Sequence, residues 1–145
     1  MEKTAVGRWN LGIGLGLMVR FMLYGFFLIY RRDFAPGRAA WIAGANVSPH
    51  FVARLAHPHG NLFARLNVVF GALVTWLPVR PNGARWISAL TLLGLLLPIG
   101  ILSEIYLGLP PVLVLTGAIA IVGGTALFAI ELARLDWSKV TQAAR

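Results

Sequence analysis

The chain has no cysteine among its 145 residues. That absence excludes iron–sulfur clusters, thiolate zinc sites, covalently attached c-type haem, cysteine nucleophiles and any disulfide scaffold. Charge is also scarce: Asp, Glu, Lys and Arg make up 12% of the chain, against about 25% in an ordinary globular domain. Five residues are acidic and three are histidine, and no six-residue array of histidine and carboxylate marks a di-iron centre. There is no P-loop and no dinucleotide fingerprint in a strand–helix context. The glycines between Leu11 and Leu17 sit in an apolar run and cannot cradle a phosphate. No Ser-His-Asp set and no hydrophilic channel stripe is evident.

What the chain has in excess is apolar surface. Hydrophobic residues reach 58%, against about 45–50% for soluble chains, more than a soluble fold of this length can hide. The composition marks an all-α integral membrane protein of one domain. Four apolar stretches meet the length of about 20 helical residues that a bilayer core demands. They run from about Asn10 to Tyr30, His59 to Leu77, Trp86 to Leu107 and Val112 to Leu132. Trp9, Trp76, Trp86 and Tyr106 fall near span ends, where amphipathic rings prefer to lie. The first stretch follows Lys3 and Arg8 like a signal peptide, but it is too long and no small-residue cleavage site closes it, so it is expected to be retained.

The net charge of +8 comes from basic residues scattered in ones and twos, with no basic run and no aromatic-interleaved groove. This is the pattern of loop charges that orient a membrane protein, not of nucleic-acid binding. Lys3, Arg8, Arg80, Arg85, Arg134, Lys139 and Arg145 fall on one side, and Arg31, Arg32, Arg38 and Arg54 on the other. Both termini are therefore expected in the cytoplasm, with the chain in the cytoplasmic membrane.

Two of the connections are short. The segment from Pro78 to Gly83 forces a hairpin between the second and third spans, and Gly108 to Pro111 joins the third and fourth. The first loop is long. It contains an Ala-Pro-Gly turn at Ala35 to Gly37 and then Ser48-Pro49, a helix-start signal that predicts a short interfacial helix over Pro49 to Ala56. Pro58 biases His57 out of the helical region, so the second span is expected to restart there.

Chemistry concentrates where the second span opens. His57 and His59 stand there, and the third span returns to the same membrane face to end in Ser103-Glu104-Ile105-Tyr106. Imidazole, carboxylate and phenol at one depth can ligate a metal or haem iron and handle a proton. Gly60, Ala64, Asn67 and Gly71 form one helical stripe, which serves either as a close-packing seam or as a cavity wall with Asn67 pointing in. Arg20 and Arg65 lie near mid-span, where a charge costs at least about 2.5–3.5 kcal/mol and is a functional hypothesis by default. Their counter-ions are expected among Glu104, Glu131 or the propionates of a bound haem. Gly12, Gly14 and Gly16 on the first span, and Ala120 with Gly124 on the fourth, make small-residue faces for helix contact.

Ser48-Pro49, Ala53-Arg54 and Ala56-His57 with Gly60 after it lead into a span bearing an asparagine and ending in Leu77-Pro78. With the Ala84-Arg85 start of the third span and the tyrosine at its far end, this order resembles styrene oxide isomerase over most of the chain. The resemblance implies a membrane four-helix bundle that binds haem b, assembles as a homotrimer and isomerises aryl epoxides to aldehydes. In that chemistry ferric haem is a Lewis acid on the epoxide oxygen, and a hydride migrates with no net redox change. The iron ligand is His57 by the preceding Ala-Arg and Ala-His pattern, or His59 by the glycine that follows it. Asn67 and Tyr106 take the substrate-orienting roles, and Arg20 or Arg65 meets a propionate or lines an interface.

The chain departs from the family in carrying His-Pro-His. Asn67 lies ten residues after His57, about 280° around an ideal helix, and eight after His59, about 80°. Two other readings compete: a small non-catalytic subunit or assembly factor of a larger membrane complex, and a haem- or metal-binding electron carrier.

Overall fold

In a computed structural model of the chain, residues 3–46 and 50–135 are described, and among them every regular element is a helix. The elements are α1 (Lys3–Asp33), α2 (Arg38–Ala43), α3 (His50–Trp76), α4 (Pro81–Gly94), α5 (Leu96–Leu107) and α6 (Val112–Ala133). Three helical stretches are long and apolar enough to cross a membrane: Ala5–Asp33, Pro81–Leu107 and Val112–Ala133. Helix α3 matches them in length, but its histidines, arginines and asparagines lower its apolar density.

The ends follow local chemistry. Helix α1 closes with Arg31 and Arg32, cations that suit the negative end of a helix. The Ala-Pro-Gly turn follows, with Gly37 at φ 82°, a left-handed backbone that glycine adopts without strain. Helix α4 opens with Pro81 in its first turn after the extended Arg80. Helix α5 ends at Gly108, φ 65°, where the amides of Gly108 and Leu109 turn back to the carbonyls of Glu104 and Ser103. Pro110 and Pro111 then prevent continuation.

Two prolines behave differently from one another. Pro98 lacks the N–H that would bond the carbonyl of Gly94, and the third apolar stretch is interrupted there, at Leu95, between α4 and α5. Pro58 was expected to separate a short helix from the second span, but α3 runs through it from His50 to Trp76. The packing explains this. Ala53 and Ala56 before the proline and Gly60, Phe63 and Ala64 after it are all buried, so breaking the helix would unpack one half of that face. His59 Nδ1 also reaches the Leu55 carbonyl at 2.8 Å, answering a backbone group next to the one the proline leaves without its amide. The short helix of the first loop lies earlier than expected, at Arg38–Ala43, and buries none of its residues. The Arg31 guanidinium, 4.9 Å from the centre of the Trp41 ring, ties it to the end of α1. The Ser48-Pro49 signal lies outside the described residues.

The most extensive contact is α1 on α3, followed by α4 on α6, with α3 also meeting α4 and α5. Small residues make the α1–α3 seam close. A Cβ on Gly14 would come within 2.9 Å of the Ala64 carbonyl oxygen, and one on Gly71 within 2.8 Å of that of Gly7. The Gly60-Ala64-Asn67-Gly71 stripe is thus a packing seam, with every member buried. At one end of the helices Phe70 and Phe128 pack with ring centres 4.9 Å apart, beside Val74, Val79 and Ile87.

Two polar features are built into this packing. Asn10 donates to Asn67 Oδ1 and to Thr91 Oγ1, both at 2.9 Å, and accepts from the Ser88 hydroxyl. Asn67 donates to the carbonyls of Thr91 at 2.8 Å and Phe63 at 3.0 Å. Asn10, Asn67 and Thr91 are 0% exposed. The second feature is an ion pair between Arg80 and Glu131, with Arg80 Nε 3.1 Å from both carboxylate oxygens.

Asn10→Ala strands the partners of that amide, and each buried group left unsatisfied costs about 1–3 kcal/mol. We expect a lower thermal midpoint in detergent, followed by circular dichroism; an unchanged midpoint would remove the network from the fold's stability. Arg80→Ala leaves the Glu131 carboxylate, 2% exposed, without its cation. The loss should fall well short of that for a fully buried pair, because Arg80 is 62% exposed and its charge is screened. The double variant Arg80→Ala/Glu131→Gln should recover part of it in the same experiment.

Candidate functional site

The site begins on α3, where successive residues turn by about 100°, so His57 and His59 face directions about 200° apart. His57 points to α1. Its Nδ1 lies 2.7 Å from the Phe21 carbonyl oxygen, and its ring lies against Gly25, where a Cβ would come within 3.0 Å of Nδ1. A carbonyl can only accept, so Nδ1 carries the proton and Nε2 keeps its lone pair. His59 is tied within its own helix through Nδ1 to Leu55, with its ring edge-on to Phe63 at 6.2 Å between centres. By the same reasoning its Nε2 is also a lone-pair donor. Each imidazole is therefore set in the tautomer that a metal ligand uses.

Tyr106 is brought to the His57 side by a residue the sequence reading missed. Tyr24 Oη donates to the Ala53 carbonyl at 3.1 Å, one turn before His57, and lies 3.3 Å from Tyr106 Oη. The two phenols thus link α1, α3 and α5 at the end where His57 lies. Asn61, one turn after His57, donates to the His57 carbonyl at 2.9 Å. Its Oδ1 is buried without a hydrogen-bond partner among the described residues. An unanswered buried acceptor beside an imidazole is a feature expected of a ligand site. Tyr24 and Asn61 were both visible in the sequence as polar residues inside apolar stretches, the signal that drew attention to Asn67.

The other expected site residues lie elsewhere. Asn67 sits in the network with Asn10 and Thr91, with both amide hydrogens committed to backbone carbonyls. Glu104 is exposed near the end of α5. Arg20 and Arg65 are exposed on α1 and α3, and Glu131, expected as a counter-ion for one of them, is held by Arg80 instead. The reason is topological: the last turn of α6 returns to the end of the molecule where the α3–α4 connection carries Arg80, far along the helices from Arg20. Glu131 also packs against Gly83, where a Cβ would come within 2.7 Å of its carboxyl carbon. His50, the third histidine, stands at the start of α3, and burial, with Arg54 adding to it, lowers its pKa.

Among the described residues no group of three or more His, Cys, Asp or Glu is placed to hold a bare metal ion. A haem makes a smaller demand, because the porphyrin supplies four nitrogens and the protein one or two axial donors. His57 or His59 meets that requirement in donor chemistry, and the unanswered Asn61 Oδ1 is consistent with a group seated near His57. Comparisons with protein-family models, with curated proteins and with solved structures find no match to this chain.

The tautomers are directly measurable. In the neutral state, nitrogen-15 spectra of labelled histidine should report proton-bearing Nδ1 and bare Nε2 for both His57 and His59, assigned by His→Gln variants. A proton on Nε2 of His57 would show that the Phe21 contact does not form.

Proposed function

We propose that the chain is a four-span protein of the cytoplasmic membrane, with both termini cytoplasmic, that binds haem b through His57 and isomerises an aryl epoxide to an aldehyde. The observation that carries this reading is the His57 imidazole, bonded at Nδ1 to the Phe21 carbonyl so that Nε2 keeps its lone pair, one turn along α3 from the Ala53 carbonyl to which Tyr24 and, through it, Tyr106 are tied. The resemblance to styrene oxide isomerase supplies the reaction, and the phenols supply a chemical fit to it. Helix α3 is the fourth span in this reading. Of its polar residues, His57, His59, Asn67 and Thr75 are answered by α1, α4 or their own helix's backbone, as a spanning helix requires.

Bound at His57, ferric haem would supply a Lewis acid for the epoxide oxygen. The chain's own part is to position and protect. Tyr106, 55% exposed, donates to Tyr24, whose own hydrogen goes to the Ala53 carbonyl, and its hydroxyl would turn from Tyr24 to the epoxide oxygen when substrate is bound. Until then Tyr24 holds it from α1. As the C–O bond breaks at the benzylic carbon, the hydride moves from the neighbouring carbon of the same substrate. No electrons leave or enter, so no redox partner is needed. The apolar surroundings withhold the water that would otherwise trap the cation as a diol. Asn67 we assign to the helix seam, and Asn61 is the amide nearest the ligand. Arg65, eight residues after His57 on the same helix, is the cation available to an anionic edge of the cofactor.

The test is an absorption spectrum of the detergent-purified protein after haem addition, beside His57→Ala and His59→Ala. A Soret band lost in His57→Ala and kept in His59→Ala is the expected result. In the haem-loaded protein, Tyr106→Phe should lower epoxide turnover by about 10²-fold, the scale of one oxyanion donor removed. Wild-type protein that stays colourless would leave the subunit or assembly-factor reading in front.

A further inference from the structure

Arg-Trp occurs twice in the chain, as Arg8-Trp9 on α1 and as Arg85-Trp86 on α4. Each pair stands about one turn inside the start of a stretch apolar enough to cross a membrane, Ala5–Asp33 and Pro81–Leu107. The Asn10 network sets the two pairs side by side. Asn10 meets Ser88 and Thr91, and Tyr24 meets Tyr106, so α1 and the α4–α5 stretch run parallel. Arg8 therefore lies within about one turn of Arg85 in depth. All four side chains are exposed. Neither helix has an acidic residue in its first turn, so the positive ends of both dipoles face the same level.

Between the two helices runs a cleft of about 220 Å³, walled by Val6 and Trp9 on α1 and by Arg85, Ser88, Ala89 and Leu92 on α4. A neighbouring hollow shares Trp9 and is lined by Arg8 and Gly12. The Ser88 hydroxyl is committed to Asn10, so the floor of the cleft is apolar. Arg85 stands at its outer end and Leu92 about two turns deeper. Charge at headgroup level above an apolar wall is the profile of a phospholipid, whereas a soluble anion would leave the deeper half unfilled. A guanidinium offers five N–H donors in a planar fork that matches a phosphate and can serve it beside another acceptor. Indole rings suit the same depth.

The sign of the headgroup follows from the carboxylates. Among the described residues the one at this end, Glu131, is bound by Arg80 and packs against Gly83, and Arg8 has no ion pair. A zwitterionic headgroup would bring an ammonium that meets further cations, whereas an acidic one brings only negative charge. We propose that the α1–α4 cleft holds one acidic phospholipid of the cytoplasmic leaflet, its phosphate between Arg8 and Arg85 and an acyl chain lying on Ala89 and Leu92. The proposal rests on the membrane placement above and not on haem.

The test counts the lipid retained by the full-length protein in detergent, by native mass spectrometry, during titration with phosphatidylglycerol or with phosphatidylcholine of the same acyl chains. Phosphatidylglycerol should fill one site per chain ahead of phosphatidylcholine. Arg8→Gln and Arg85→Gln should each weaken it about fivefold, the scale of one cation at an anionic lipid surface. Ala89→Trp fills the cleft without changing charge and should abolish retention. Arg134→Gln removes an exposed cation at the same end on α6, outside the cleft, and should change nothing. Helicity by circular dichroism is the control for each variant. Equal retention of the two lipids, Arg134→Gln as damaging as Arg8→Gln, or an Ala89→Trp protein that still binds would overturn the proposal. So would glycerophosphoglycerol, the headgroup without chains, competing at equal concentration, because the ligand would then be a soluble phosphate. Alkaline carbonate extraction separates the two readings: release from the membrane removes the placement itself, whereas retention without lipid preference removes only the lipid site.

Discussion

A primary amide that cannot reach water must be answered by protein, and in this chain Asn10 makes that demand where three helices meet. Its side chain bonds Asn67 on α3 and Ser88 and Thr91 on α4, and Asn67 in turn bonds the Thr91 carbonyl. The knot sets the height of α1 against both neighbours, and much else follows from that register. Gly7 and Gly14 are brought to face α3 across gaps too small for a side chain. About three to four turns further along, the same register delivers Phe21 to His57 and Tyr24 to Tyr106. A slip of one residue in α1 would turn these groups by about 100° and lose all of them together.

The two ends of the molecule use polarity differently. At one end Arg80 and Glu131 close the α3–α4 connection onto the last turn of α6, beside a core of Phe70, Val79, Ile87 and Phe128. That pairing is satisfied and has no evident chemical task. At the other end the polar groups are only partly answered. Two imidazoles keep a lone pair at Nε2, the Tyr106 phenol is half exposed, and Asn61 Oδ1 has no partner among the described residues. Such incompletely answered groups are what the proposed ligand would satisfy.

Prolines show why local reading reaches only so far. Pro58 and Pro98 interrupt apolar stretches in the same way on paper. The first is carried inside α3, because a continuous row from Ala53 to Ala64 is packed on both sides of it. The second stands in the first turn of α5, just past the interruption at Leu95. Missing hydrogen bonds are equivalent in the two cases, but the packing that opposes a break is not. The same limit applies to His57 and His59. Both open the second apolar stretch, and no feature of the sequence ranks them. Their opposite directions on one unbroken helix separate them, since only His57 faces α1 and the tyrosines.

The amino-acid sequence by itself determined the all-helical class, three of the four apolar stretches read from it as membrane spans, the left-handed glycine turns and the end of the molecule where imidazole and phenol gather. These follow from composition, apolar run length and residue-specific backbone preference, which act over a few neighbours. Only the tertiary structure decided that Asn67 belongs to a helix knot, that Glu131 serves Arg80 and not a mid-span arginine, and that Tyr24 joins Tyr106 to the backbone beside His57. Each of those depends on the relative height and rotation of helices far apart in the chain. Close packing along the small-residue seam sets both at once, and no local preference can.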